Sequence, residues 1–181
     1  FFIKPTLQFI LPESLYNKFR RTTLILLANF GYTNSLRRLD LEIIKLFNEK
    51  KAGSFIEVGA ADGIDQSNTY LLEKKLGWKG LLVEARKDEF LICKKIRKSS
   101  IVENYFLTSL HDKSKKSLIF DTGLSSKKVN IENLSSKNSN IEEIKNITLS
   151  NLLKFHSIKH VDILCLDVEG YEIEVLEGYD N

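Results

Sequence analysis

The period of the apolar positions changes near residue 54. Before it, apolar residues recur at helical spacing. "ESLYNKFRRTTLILLANF" (13–30) predicts a helix with Pro12 in its first turn and Gly31 closing it. A second helix is expected over 36–50. Asn34 or Ser35 caps it, Leu36, Leu39, Ile43, Leu46 and Phe47 form its apolar face, and Gly53 ends it. From 54 onward short apolar runs alternate with helical segments. The strand "SFIEV" leads through a glycine turn to a helix over 66–76 that stops at Gly77. The strand "KGLLVEA" (79–85) precedes a helix over 87–98 with Phe90, Cys93 and Ile96 or Arg97 on one side, and "IVENYFLTS" (101–109) reads as a third strand. Strands separated by helical stretches imply right-handed βαβ units and a parallel sheet.

Residues 108–146 break this rhythm. They are dense in Ser, Asn and Lys, and an insertion-like, mobile segment with a small hairpin is expected there. "ITLSNLLKFHSI" then predicts a helix from 148. "VDILCLDVEG" predicts a fourth strand whose continuous apolarity suits burial on both faces, and "YEIEVLEG" a short helix. The expected strand order is 3-2-1-4, which leaves the fourth strand as an apolar edge. Natural domains avoid such edges, so further strands, about three, are expected beyond Asn181. The chain starts at Phe1 and contains no methionine, which also reads as a piece of a longer protein.

Composition narrows the classes. With 181 residues, 43% hydrophobic and 28% charged, the chain is of single-domain size and globular in type. A net charge of +3 with scattered lysines gives nucleic acid little support as a partner. Cys93 and Cys165 sit in a helix-like and a strand-like pattern, and read as buried free thiols in a reducing, cytoplasmic setting. No apolar run approaches the ~20 residues of a membrane span. "LILLANF" (24–30) follows Arg20 and Arg21 but lacks a cleavage site, and reads as core helix.

The chemistry concentrates at strand ends. In open α/β sheets ligands bind at the carboxyl ends of the strands, and three of these ends carry acids: Glu57, Glu84 and Asp167. Around the first, the pattern is E-x-G-x-A-x-G. A dinucleotide turn wants G-x-G-x-x-G, and Ile64 stands where its third glycine belongs. Glu57 and Asp62 also place negative charge where a pyrophosphate would sit. That charge suits a ligand with a cationic end and no phosphates. S-adenosylmethionine, with an ammonium and a sulfonium, is such a ligand. Glu84, 27 residues after Glu57, is placed to accept both ribose hydroxyls.

"FIEVGAADGIDQSNTYLLEKKLGWKGLLVEARKDEF", with "ITLSNLLKF" and "VDILCLDVEGYEIEVLEG" after it, resembles the FkbM family of S-adenosylmethionine-dependent methyltransferases over roughly residues 53–178. The resemblance implies a class I methyltransferase (Rossmann-like) α/β fold, a doubly wound and mainly parallel sheet that here breaks off after the fourth strand. It also implies O-methylation of a hydroxyl on a sugar or similar acceptor. Glu57, Gly59, Ala60 and Gly63 match the first cofactor motif, with Ala61 where many members have asparagine. Glu84 matches the ribose-binding acid, and Asp167, Glu169 and Gly170 match the D-x-E-G motif. The cofactor is expected to meet Glu57, Gly59, Ala60, Ala61, Asp62, Gly63, Asn68, Glu84 and Ala85.

Asp167 is the expected base or acceptor-orienting group. Glu169 shares that work or binds a divalent cation with Asp167, but two carboxylates do not select a metal and none is assigned. Ser67 and Asn68 also read as ordinary helix caps, and Trp78 as a packing residue. His111 is placed to reach an acceptor pocket, whereas His156 and His160 end a helix. Residues 1–52 are taken as a helical arm and 53–181 as the cofactor-binding domain. The competing functions are a catalytically silent binding module and an NAD- or nucleotide-sugar-dependent enzyme. The missing third glycine disfavours the latter.

Overall fold

The computed structural model describes residues 12–121, 126–128 and 141–180. In chain order the elements are α1 (Glu13–Asn29), a 3₁₀ turn (Leu36–Arg38), α2 (Leu39–Leu46), β1 (Ser54–Val58), α3 (Tyr70–Leu76), β2 (Lys79–Val83), α4 (Lys87–Ile96), β3 (Ile101–Glu103), β4 (Phe106–Thr108), β5 (Lys116–Asp121), β6 (Ser126–Lys128), β7 (Ile141–Thr148), α5 (Leu149–Phe155), β8 (Ile163–Leu166) and α6 (Glu172–Glu177).

The main sheet is parallel with strand order β3-β2-β1-β8, the order expected from the alternation of strands and helices. Side chains along a strand alternate between its faces. Phe55 and Leu82 therefore pack with Leu72 and Leu76 of α3 and Cys93 of α4. Ile56, Val58, Leu81 and Val83 pack on the other side with Leu149 and Leu152 of α5 and Val175 of α6. Helices thus meet both groups of strand residues, and Phe55, Ile56 and Val58 of β1 and Leu81, Leu82 and Val83 of β2 are all buried. Trp78 is fully buried, donates from Nε1 to the Lys50 carbonyl at 2.7 Å, and meets Phe47 edge-on.

Four departures from the expected pattern have identifiable causes. The third strand is two strands. Asn104 donates from Nδ2 to the carbonyls of Glu84 and Ala85, both at 2.8 Å, and the chain then leaves the main sheet. β4 pairs instead in a second sheet of order β4-β7-β5-β6, in which β5 runs antiparallel to β7 and β6. Phe106, Ile119 and Ile144 form its core against Ala85 and Tyr171. Much of the segment read as an insert is therefore sheet, and the expected hairpin is β5–β6. The remainder of the expected mobile stretch lies outside the described residues.

The second departure concerns α2, which is shorter and rotated. Arg37 and Arg38 have φ of 51° and 61°, so the 3₁₀ turn and α2 are separated by a break. Asp40 accepts from Thr33 Oγ1 at 2.5 Å and from the Leu41 amide at 2.8 Å, which turns the acid inward. Leu36, Leu39 and Leu46 are exposed as a result, while Ile43, Ile44 and Phe47 meet the core. Third, α3 begins at Tyr70 rather than 66, because residues 67–69 are held by Glu57 in a loop. Fourth, β8 is half-buried along its length rather than covered on both faces, since among the described residues it pairs only with β1.

β8 is tied to β1 at its entry by Asp162. Lys50 Nζ lies 2.6 Å from this carboxylate, and the Ser54 amide donates to it at 2.8 Å. Lys50 first, then the Ser54 amide, hold its carboxyl well below the usual range. A depressed folded-state pKa contributes stability that is present above the unfolded value of ~4 and is lost as pH falls through the folded value. Asp162→Asn should therefore lower the melting temperature at pH 7, and the gap to wild type should narrow as pH falls below ~4. A gap independent of pH in parallel melts would exclude this contribution.

Candidate functional site

The site is built where β1 ends. Gly59 has φ of +82°, and a β carbon on it would collide with the carbonyl oxygen of Asp167. Only glycine permits that crossing. The Gly59 and Ala60 amides both donate to the Val83 carbonyl, at 2.9 and 3.2 Å, which swings the turn across the end of β2.

Glu57 is 5% exposed, and its carboxylate is fully engaged. Oε1 accepts from the Asn68 amide at 2.8 Å, and Oε2 accepts from Thr69 Oγ1 at 2.6 Å and Ser67 Oγ at 3.0 Å. Beneath it lies Arg97, 0% exposed. Its Nε donates to Glu73 at 2.9 Å, Nη1 to the Gly63 carbonyl at 3.0 Å and Ser67 Oγ at 3.1 Å, and Nη2 to Thr69 Oγ1 at 2.8 Å. Nη1 is 3.5 Å from Glu57, and the guanidinium lies 5.3 Å from the Phe55 ring centre and 5.5 Å from that of Tyr70. Gly63 sits between this network and α4. A β carbon there would lie 2.6 Å from Cys93 Sγ, so Gly63 shapes the turn from below instead of lining the cavity.

Asp62 is engaged as well. Oδ1 accepts from the Ile64 and Asp65 amides at 3.0 and 2.8 Å, and Oδ2 from Arg21 Nε at 2.7 Å. Both acids thus lie beside a cation: Glu57 beside Arg97, which Glu73 shares, and Asp62 beside Arg21, which Glu89 shares. This corrects the electrostatic argument made from sequence, which treated both as free charges selecting a cationic ligand.

Glu84 differs from both. It is 6% exposed, and its two oxygens each take one backbone donor, the Ala61 amide at 2.7 Å and the Arg86 amide at 2.8 Å. Burial pushes its carboxyl above the usual range, and these two backbone bonds oppose that rise. A carboxylate oxygen holds more than one acceptor position, so both retain capacity for a hydroxyl.

A cavity of about 520 Å³ joins these groups. Its wall includes Glu57, Gly59, Ala60, Ala61, Asp62, Asn68, Glu84, Ala85, Asp167 and Glu169, so ten of the expected positions meet in one place. Its volume lies within the usual range of small-molecule sites. Asp167 follows β8, with its amide bonded to the Val58 carbonyl at 3.0 Å. Asp167 and Glu169 are exposed, and among the described residues neither carboxylate has a side-chain partner. Glu172 Oε1 accepts from the Val168 and Gly170 amides at 3.2 and 3.3 Å and holds this turn.

Sequence reasoning missed several wall residues. Tyr105, Phe106 and Tyr171 line one side, with the last two rings edge-on at 5.3 Å. Tyr16, Asn17, Arg20 and Arg21 of α1 line the cavity as well. Nothing in the pattern of an amphipathic helix says which distant loop it covers. His111 is exposed and outside the cavity wall, contrary to the role weighed for it. His156 caps the end of α5, and His160 lies 3.0 Å from Asp162. Among the described residues no cluster of His, Cys, Asp and Glu has metal-site geometry, and no helix is long and apolar enough to cross a membrane.

Comparison with known proteins gives one match. A family model described as the methyltransferase FkbM domain matches residues 57–181. No curated protein and no solved structure matches the chain.

Proposed function

Because this chain belongs to the FkbM methyltransferase family, we propose that it transfers a methyl group from S-adenosylmethionine to a hydroxyl of a sugar or glycan-like acceptor. The observation that carries the reading is Glu84: a buried carboxylate at the cavity wall, held by two backbone amides with acceptor capacity remaining. Ribose hydroxyls would donate to it. The turn through Gly59, Ala60 and Ala61 would hold the amino-acid end of the cofactor, with Asn68 and Ala85 completing its wall. Bound S-adenosylmethionine supplies an electrophilic methyl on its sulfonium.

The protein's remaining tasks are to align the acceptor and to take its proton. Alignment alone lowers such barriers by several kcal/mol, ~7–11 in the best intramolecular cases. Asp167 would accept the hydroxyl proton as oxygen attacks, with Glu169 orienting the acceptor. We take residues 53–181 as the cofactor-binding unit of a doubly wound class I fold and 1–52 as the helical arm, of which α1 lines the cavity. Cys93 and Cys165 are free, and burial pushes the pKa of each thiol up to about 12, which keeps both protonated at neutral pH.

Calorimetric titration tests the reading. S-adenosylhomocysteine should bind the purified chain and NAD should not. Glu84→Ala should weaken binding about 10- to 100-fold, the worth of one or two hydrogen bonds to a charged group. A folded chain that ignores S-adenosylhomocysteine would favour the silent binding module.

A further inference from the structure

The family match begins at residue 57, yet the cavity is closed on one side by α1, which ends 28 residues earlier at Asn29. α1 is not merely laid against the domain. Arg21 reaches from it with Nε to Asp62 at 2.7 Å and with Nη2 to Glu89 of α4 at 3.3 Å. Arg20 pairs with Asp65 in the same turn. Asp62 is the knot of this arrangement, because its other oxygen takes the Ile64 and Asp65 amides. One guanidinium therefore joins three elements around the cavity: α1, the glycine turn and α4.

We propose that Arg21 is a positioning residue for the cofactor, acting through Asp62 and Glu89 to fix the glycine turn and to hold α1 against the site. The inference rests on the methyltransferase reading. Its physical basis is the burial of the three groups: the Asp62, Glu89 and Arg21 side chains are 8%, 19% and 23% exposed. Charge-assisted bonds at that depth are among the stronger polar contacts and fix geometry through a planar fork, which lysine cannot reproduce. Without Arg21, Asp62 would lose its cation and Glu89 would keep, among the described residues, only Arg86, 4.0 Å away. The turn that presents Ala61 to Glu84 would lose its outer restraint. A hydrophobic contact of α1 also exists, through Leu24, Ile25 and Ala28 against Ile64 and Tyr70, so the helix has a second anchor that does not touch the charges.

That second anchor supplies the control. S-adenosylhomocysteine would be titrated into the full chain carrying Arg21→Met, Arg21→Lys, Asp62→Asn, the Arg21→Met/Asp62→Asn pair, or Leu24→Ala, with melting temperatures in parallel. Arg21→Met and Asp62→Asn should each weaken binding about 10-fold. The pair should be no worse than either alone, because both remove the same link. Arg21→Lys should restore part of the loss, and Leu24→Ala should lower the melting temperature while leaving the affinity unchanged. Wild-type affinity in Arg21→Met would overturn the proposal, as would an equal loss in Leu24→Ala. Failure of the wild-type chain to bind would overturn the methyltransferase reading with it, and is distinguishable from both.

Discussion

Arg97→Met should destabilise the fold by about 3–5 kcal/mol, the cost of removing one partner from a buried ionic network. The arginine is 0% exposed and serves five groups at once: Glu73, Glu57, Ser67, Thr69 and the Gly63 carbonyl. Methionine fills much of the same volume between Phe55 and Tyr70, so the loss measured is charge and hydrogen bonding more than packing. The Glu57 and Glu73 side chains, 6% and 3% exposed, would be left without a counter-charge. Arg97→Met/Glu73→Gln should recover part of the loss, because it removes one of the two uncompensated acids. Urea unfolding reads both variants; a loss below ~1 kcal/mol in Arg97→Met would remove Arg97 from its place as the keystone of the turn.

Arg97 also shows where sequence reading stops. At the end of α4 it reads as an ordinary basic residue near a helix C-terminus, and its spacing from Phe90 and Cys93 puts it on the inner face without saying why a charge belongs there. The reason lies 40 residues earlier, in Glu57, and becomes visible only when β1 and α4 are brought together. What the sequence does state well is local. The alternation of β1 and β2, the stop at Gly77 and the acids at three strand ends follow from period, turn chemistry and the rule for parallel sheets. The strand order β3-β2-β1-β8 follows too, from the general rule that parallel crossovers are right-handed. Asn104 marks the limit from the other side: one side-chain amide bonded to two carbonyls redirects a strand, and no periodicity announces it. Apolar faces of short helices are weaker signals still, as the inward Asp40 of α2 demonstrates.

The acids of the site sort themselves by what they hold, and this leads to the second large effect. Glu57, Asp62 and Glu84 each accept at least two hydrogen bonds from the protein, and Glu172 accepts two from its own turn. These carboxylates have structural work. Asp167 and Glu169 have none among the described residues, although the backbone of Asp167 is fixed by the Val58 carbonyl and by close passage over Gly59. On the reaction proposed above, a carboxylate without other work on a fixed backbone at the cavity wall is the group best placed to take the acceptor's proton. Asp167→Asn should accordingly lower kcat about 10²–10⁴-fold, the usual worth of a positioned base. The dissociation constant for S-adenosylhomocysteine should stay within about 2-fold, since asparagine keeps the size and the backbone is unchanged. Glu169→Gln should cost less. If the two variants exchange these effects, Glu169 takes the proton and Asp167 orients the acceptor. If Asp167→Asn instead loses the cofactor while kcat holds at saturation, Asp167 belongs to the cofactor's side of the cavity and the proton leaves by another route.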